Sequence, residues 1–151
     1  MLSFHPLDTP PAEEWLRLLN SDAVRKHLIR HPCFTRETLE PWLQSKMRED
    51  SLPGCRVRSI KADGRLVGWC GIQTESESYE LALVLAPKYW GRGREAMNQV
   101  IQWARELGHK QLLAHLPRTR PQTRALERVF GQPIGVKNLR GHEFNTYRIQ
   151  V

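Results

Sequence analysis

Cysteine is scarce in this chain. Cys33, Cys55 and Cys70 are the whole supply and form no CxxC pair, and an odd count argues against a disulfide framework. Long apolar runs are missing too. The opening MLSFHPLDTPPAEEW has no apolar core of signal-peptide length, and no later stretch could span a bilayer. The expectation is a soluble protein of a reducing compartment, the cytoplasm, with no membrane partner. There is no internal repeat and no low-complexity linker, so 1–151 reads as a single domain. A GxxxxGK[ST] loop is absent, which dismisses that class of nucleotide-triphosphate site. Acidic residues are in deficit, with 16 Asp+Glu against 23 Lys+Arg and a net charge of +7. That balance favours an anionic partner such as a nucleotide cofactor, nucleic acid or an acidic protein surface, without choosing among them.

What is present is ordinary globular material. With 40% hydrophobic and 26% charged residues over 151 positions, the chain can bury a real core and general disorder is excluded. LSFHPL suggests a short first strand. AEEWLRLLN places Trp15, Leu18 and Leu19 on a helical stripe, and Leu39, Trp42, Leu43 and Met47 repeat that spacing. Pro41 fits the second helix only near its start, with Thr38 as the expected cap. Asp63-Gly64 between two β-prone runs signals a hairpin. TESESYE reads as a polar loop, YELALVLA as a mostly apolar strand ended by Pro87. From Arg92 the period changes, with Ala96, Met97, Val100, Ile101 and Ala104 on one helical face and Gly108 as the stop. QLLAHL is a further strand. TRPQTRALERVFG is a helix with Leu126, Val129 and Phe130 inward and Gly131 at its end, and GHEFNTYRIQV is a last strand. The order is strand, two helices, three strands, helix, strand, helix, strand, which is an α/β (α+β) sheet of mixed direction.

Between the fourth strand and the following helix stands KYWGRG. A helix starting there presents unpaired N–H groups and a partial positive charge, and glycines let an oxyanion come close. Lys88, Arg92 and Arg94 add full charges. The same residues would also serve a simple strand-to-helix turn, and the link alone leaves both readings open.

The order and spacing of ELALVLAPKYWGRG, WARELG and RALERVFG resemble the GNAT superfamily of acyl-CoA N-acyltransferases, in the manner of its ribosomal-protein N-terminal acetyltransferase branch. The likeness is fullest from Arg65 to Gly131. It implies a mostly antiparallel central sheet flanked by helices, with the fourth and fifth strands splayed apart. It implies acetyl-CoA, or another acyl-CoA, as co-substrate and no metal. The family's [QR]xxGx[GA] loop, whose amides hold the CoA pyrophosphate, maps onto Lys88, Tyr89, Trp90, Gly91, Arg92 and Gly93, with Arg94 next and Lys88 in place of the usual Gln or Arg. Val84 and Leu85, on the strand before it, join the cofactor-binding set. A register two residues later would put Glu95 beside the pyrophosphate and rotate the helix by about 200°, turning its apolar face to water. The helix phase therefore selects Gly91 and Gly93, and implies a loop after Pro87 two residues shorter than usual. Arg120 stands where the family commonly has a cofactor-binding Asn, with Arg124 one turn on.

Acyl transfer to an amine needs a base for the amine, stabilisation of the carbonyl oxygen and a proton for the departing thiolate. By resemblance Glu80 matches the fourth-strand carboxylate that serves as base. The usual general-acid tyrosine falls on Glu127, so that acid is unassigned, and Tyr79 and Tyr147 have no fixed place. His115 is a strand histidine near the expected cleft, either structural or a proton relay. His27 and His31 share a helical spacing but lack a third ligand. Trp69 and Cys70 read as core. The resemblance thus implies an enzyme moving an acetyl or short acyl group from acyl-CoA to a primary amine. A protein N-terminus, a lysine, a small amine or an aminoacyl-tRNA would all serve as acceptor, and a homodimer is left open. The alternatives are a CoA-binding regulatory module without catalysis and a basic nucleic-acid-binding domain on the same fold.

Overall fold

The computed structural model describes residues 1–26, 32–118, 124–139 and 141–151. Seven strands form one sheet: β1 (Leu2–His5), β2 (Arg56–Ala62), β3 (Arg65–Glu75), β4 (Ser78–Leu85), β5 (Gln111–Pro117), β6 (Gly135–Leu139) and β7 (His142–Gln150), in the order β1-β2-β3-β4-β5-β7-β6. Every neighbouring pair is antiparallel except β4 and β5, which run parallel. The helices are α1 (Ala12–Leu19), α2 (Asp22–Lys26), α3 (Arg36–Asp50), α4 (Gly93–Glu106) and α5 (Arg124–Phe130).

Strand alternation divides the core between the two faces of the sheet. Cys70 and Ile72 of β3, Leu81 and Leu85 of β4, and Leu112 and Ala114 of β5 pack under α4, which buries Ala96, Met97, Val100, Trp103 and Ala104. That is the expected helix phase, ended by Leu107 and by Gly108 at φ +87°. On the other face, Val57, Trp69 and Val84 pack under α1 and α3 with Trp15, Leu18 and Leu39. Trp15 is fully buried and its indole N–H donates to the Leu7 carbonyl at 3.1 Å. The expected β2–β3 turn is in place, with Asp63 and Gly64 both at positive φ.

Three expectations need correction. TESESYE is no loop: β3 continues through Glu75 and β4 begins at Ser78, leaving a two-residue turn at Ser76–Glu77 with Ser76 at φ 50°. Its polar residues hid the strands because one face of the sheet turns polar there. The cap of α3 is Thr35, whose hydroxyl accepts from the Thr38 N–H while the Thr38 hydroxyl accepts from the Thr35 N–H. The helix thus begins earlier than expected, and Pro41 lies inside it, forgoing one i to i−4 bond. Finally, α2 and β6 were unforeseen; β6 is an edge strand with Val136 more than half exposed, so no buried alternation marks it. Leu126, Arg124, His27, His31 and Arg120 carry expectations whose side chains lie outside what the structure describes. Among the described residues, no helix is long and apolar enough to cross a membrane.

The reciprocal Thr35–Thr38 bonds satisfy two otherwise unpaired donors of α3. Thr35→Ala is expected to lower folding stability by about 1 kcal/mol, seen in urea titration as an earlier midpoint with unchanged slope; no change would mean another group caps the helix.

Candidate active site

The sheet opens between β4 and β5. Their ladder consists of one pair, Glu80 with Leu113, whereas β4 pairs β3 along its whole length and β5 pairs β7 along its own. From Leu81 to Leu85 the β4 edge facing β5 therefore has no strand partner. Val84 and Leu85 line this stretch with their backbone while their side chains are buried on opposite faces. This is the expected splay.

At the far end of β4, residues Pro87–Arg92 form a 3-10 turn that runs directly into α4. The Trp90 indole N–H donates to the Leu85 carbonyl at 2.8 Å, tying the turn back to the strand. The backbone decides what the glycines are for. Neither Gly91 nor Gly93 has positive φ, and Gly93 is right-handed helical at φ −59°. A Cβ on Gly91 would meet nothing within 4 Å, and one on Gly93 only Leu85 Cδ1 at 3.9 Å. Neither conformation nor internal packing asks for glycine here, so the tight-turn reading loses its reason. What remains is an open surface kept bare of side chains, which lets a ligand approach the backbone closely.

The start of α4 has no side-chain cap, so its first-turn amides and dipole face this surface. The Gly93 N–H itself is bonded to the Trp90 carbonyl. Lys88 and Arg94 are exposed. Tyr89 packs against the core beneath α4, and half of Trp90 is exposed. Arg92 is engaged: its guanidinium bonds Glu95 at 2.6 Å. Glu95 also accepts the Leu2 N–H at 2.9 Å, and these two contacts hold its carboxyl below the usual range. The carboxylate that would trouble a phosphate is thus neutralised by Arg92 and the β1 backbone.

Glu80 lies at the mouth of the opening. Its strand partner is Gln73, and directly opposed residues share a face. That face, apolar at Trp69 and Val84, becomes polar where the residues that α3 sets over it change from Leu39 and Trp42 to Lys46 and Glu49. Gln73 Nε2 donates to Glu80 Oε1 at 3.1 Å, and Lys46 of α3 donates to Gln73 Oε1. His115 Nε2 meets Glu75 at 2.6 Å and Glu80 at 3.7 Å, while its Nδ1 meets the Thr146 hydroxyl at 2.9 Å. Lys137 closes the group with an ion pair to Glu75. Ser45, Lys46, Glu49, Gln73, Thr74 and Glu80 line a cavity of about 240 Å³.

Burial shifts these groups toward their neutral forms. It raises the Glu80 carboxyl above 4.5, with His115 and Lys46 opposing. Burial also lowers the His115 imidazole, with Glu80 opposing, and lowers the Lys46 ammonium, with Glu80 and Glu49 opposing. A carboxylate poised closer to neutrality is a better proton acceptor for an amine than an ordinary one. Glu75, Glu80 and His115 bring ligand atoms within 4.8 Å of one another, a spacing a divalent cation could use; the Lys137 ammonium already supplies a positive charge at Glu75.

No phenol joins them. Tyr147 is buried beside Phe130, with ring centroids 5.5 Å apart, and the Tyr79 hydroxyl bonds the Pro53 carbonyl at 3.3 Å. Glu127, at the family's tyrosine position, is exposed. The sequence reading missed Lys46, Glu49, Gln73 and Glu75. Gln73 follows only once the two-residue turn at Ser76–Glu77 is known, since that turn pairs Glu75 with Ser78 and hence Gln73 with Glu80.

A mixed sheet parted beside a half-buried carboxylate, with an uncapped helix N-terminus at the end of the parting strand, is the framework of an acetyl-group transferase. Comparison with known proteins agrees: a model of the acetyltransferase (GNAT) family matches residues 13–132, and the chain belongs to that family. Three solved structures show the likeness of fold. Ribosomal-protein-alanine N-acetyltransferase from Brucella melitensis is 21% identical, with 100% of this chain and 99% of that one covered at a TM-score of 0.74. An acetyltransferase of Salmonella typhimurium that modifies the N-terminal serine of a ribosomal subunit protein is 16% identical, covering 99% and 94%, with a TM-score of 0.74. A second Salmonella typhimurium protein, described as an acetyltransferase and solved with its cofactor acetyl-CoA, is 16% identical, covering 99% and 92%, with a TM-score of 0.67. No curated protein matches the chain in sequence.

The raised Glu80 pKa has a sign in stability. Ionising Glu80 costs the fold nothing below 4.5, where folded and unfolded chains are both protonated, and the full cost is felt above the raised folded value. Glu80→Gln removes that cost while keeping an acceptor for Gln73. The melting temperature of Glu80→Gln relative to wild type is expected to rise by a few degrees between about pH 4 and pH 8. A difference independent of pH would show that Glu80 ionises as freely folded as unfolded.

Proposed function

We propose that residues 1–151 form one acyl-CoA-dependent N-acyltransferase domain, transferring an acetyl or short acyl group to a primary amine. The observation that carries this reading is the position of Glu80, a carboxylate of raised pKa at the single β4–β5 pair. The fit to CoA rests on the glycine surface, left bare of side chains although a Cβ there would meet no close internal contact. Gly91, Gly93 and the first amides of α4 would hold the pyrophosphate, with Lys88 and Arg94 adding charge. The open edge of β4 at Val84 and Leu85 would take the pantetheine arm. Acetyl-CoA would supply the activated carbonyl.

Glu80 would draw the proton from the attacking ammonium. His115 stabilises the Glu80 carboxylate by proximity, and Glu75 and Thr146 fix its ring. The carboxylates of Glu49, Glu75 and Glu80 make the cleft locally attractive to an acceptor arriving as an ammonium, whatever the net charge of the whole chain. Protein N-termini, lysines, small amines and aminoacyl-tRNA remain acceptor candidates; the ribosomal-protein acetyltransferases among the structural neighbours are a reason to assay protein N-termini first. The absence of a phenol beside Glu80 is the one observation favouring a CoA-binding module without turnover.

Calorimetry with acetyl-CoA separates these readings. Wild type is expected to bind, and Gly93→Trp to lose tenfold or more in affinity, about 1.4 kcal/mol. In an amine panel Glu80→Gln should lower kcat/KM by about 10²–10⁴-fold, and the acidic limb of the wild-type profile should lie above the 4.5 of an ordinary glutamate. Binding without turnover on any amine would establish the regulatory module. No binding would return the basic surface, and nucleic acid, to the front.

A further inference from the structure

The mechanism above gives Lys46 no part in the transfer itself. Its ammonium lies over two indole rings, 4.9 Å from the Trp69 centroid and 5.8 Å from that of Trp42. The ammonium ends on Gln73, which itself holds Glu80 at 3.1 Å. Lys46 and Glu80 line the same cavity, and of the six lining residues Lys46 is the one bearing a primary amine. A cation kept only to balance Glu49 and Glu80 gains by standing in water, where an ammonium is best solvated. This one is half-buried and shifted toward its neutral, nucleophilic form. Arginine would balance the charge without offering a nucleophile.

We propose that Lys46 Nζ is itself an acyl acceptor of this site, so that the chain acetylates its own Lys46 when no outside amine occupies the cavity. The proposal rests on the acyltransferase reading. Lys46 and Glu80 are each bonded to Gln73 rather than to each other, so the Lys46 ammonium first gives one proton to Glu80 through a water of the cavity they share. The freed nitrogen lone pair forms the new N–C bond to the thioester carbonyl, and the C–S bond breaks with its electrons on sulfur. The nitrogen's second proton goes to that thiolate, leaving a neutral acetamide and free CoA, with no redox partner needed. The product also alters the site. Glu80 loses one of the cations that hold its pKa down, so the acetylated chain should process outside amines with its acidic limb displaced to higher pH.

The test is incubation of the purified full chain with acetyl-CoA isotopically labelled in its acetyl group, read by intact mass and peptide mapping, beside calorimetry with acetyl-CoA. The expected result is one label per chain, mapped to Lys46, formed at a rate constant independent of protein concentration. The label should be absent from Lys46→Arg, which should still bind acetyl-CoA, and its formation should slow by about 10²-fold or more in Glu80→Gln. If Lys46→Arg fails to fold, the mapped position in wild type decides alone. Binding of acetyl-CoA without labelling overturns the proposal and leaves the acyltransferase reading standing. So does label scattered over exposed lysines, or Lys46 labelled at the same rate in Glu80→Gln. Failure of wild type to bind acetyl-CoA overturns both.

Discussion

One backbone pairing, Glu80 with Leu113, is all the ladder that joins β4 to β5, and the rest of the architecture is arranged around it. The sheet is in effect two smaller sheets, β1 to β4 and β5-β7-β6, whose backbones pair at one point. An opened ladder leaves backbone groups without partners and would be costly in a dry interior. Here the two halves are held by the buried stripe of α4. Its Ala96, Met97, Val100 and Ala104 pack in one cluster with Ile72 and Leu81 from one side and Leu112, Ala114 and Ile149 from the other. Side-chain burial on one face thus permits a gap in hydrogen bonding, and the gap is where a substrate's own polar groups can dock.

The same division explains what was legible in the sequence. Elements facing a dry core repeat with the period of their backbone, so α1, α4, β4 and the helical phase that selected Gly91 and Gly93 could all be read. The hairpin at Ser76–Glu77 could not, because Gln73, Glu75 and Glu80 point into a polar cleft and break the alternation that marks a half-buried strand. β6 escaped for a related reason, having no buried face to pattern. The candidate base was legible only through family likeness. Its surroundings come from α3, β3, β5, β6 and β7, elements far apart in sequence, and no local spacing encodes such a meeting.

Glu80 also shows what the cluster costs. Burial disfavours its charged form, and the opposing influences of His115 and Lys46 do not fully offset that. Carboxylate, imidazole and ammonium each sit closer to neutrality than they would in water. A cluster evolved for stability alone would gain by exposing these groups or replacing them with apolar ones. Perturbed groups gathered in a cleft point to chemistry, and here three of them converge on the parting of the sheet.

Charge must be judged at the scale of the encounter. The net +7 describes the field a partner meets at a distance, which salt screens within about 10 Å. Inside the cleft the balance is different: Lys137 is paired with Glu75, Lys46 is drawn toward its neutral form, and Glu49 and Glu80 line the cavity. On the proposed reading an anionic cofactor and a cationic acceptor would have separate places on one molecule, the first over exposed Lys88 and Arg94 at the α4 terminus, the second among carboxylates toward the other end of β4. Between Glu80 and the turn at Pro87 the β4 edge from Leu81 to Leu85 has no strand partner, and on the proposed reading a thioester held at one end would reach along it to an amine held at the other.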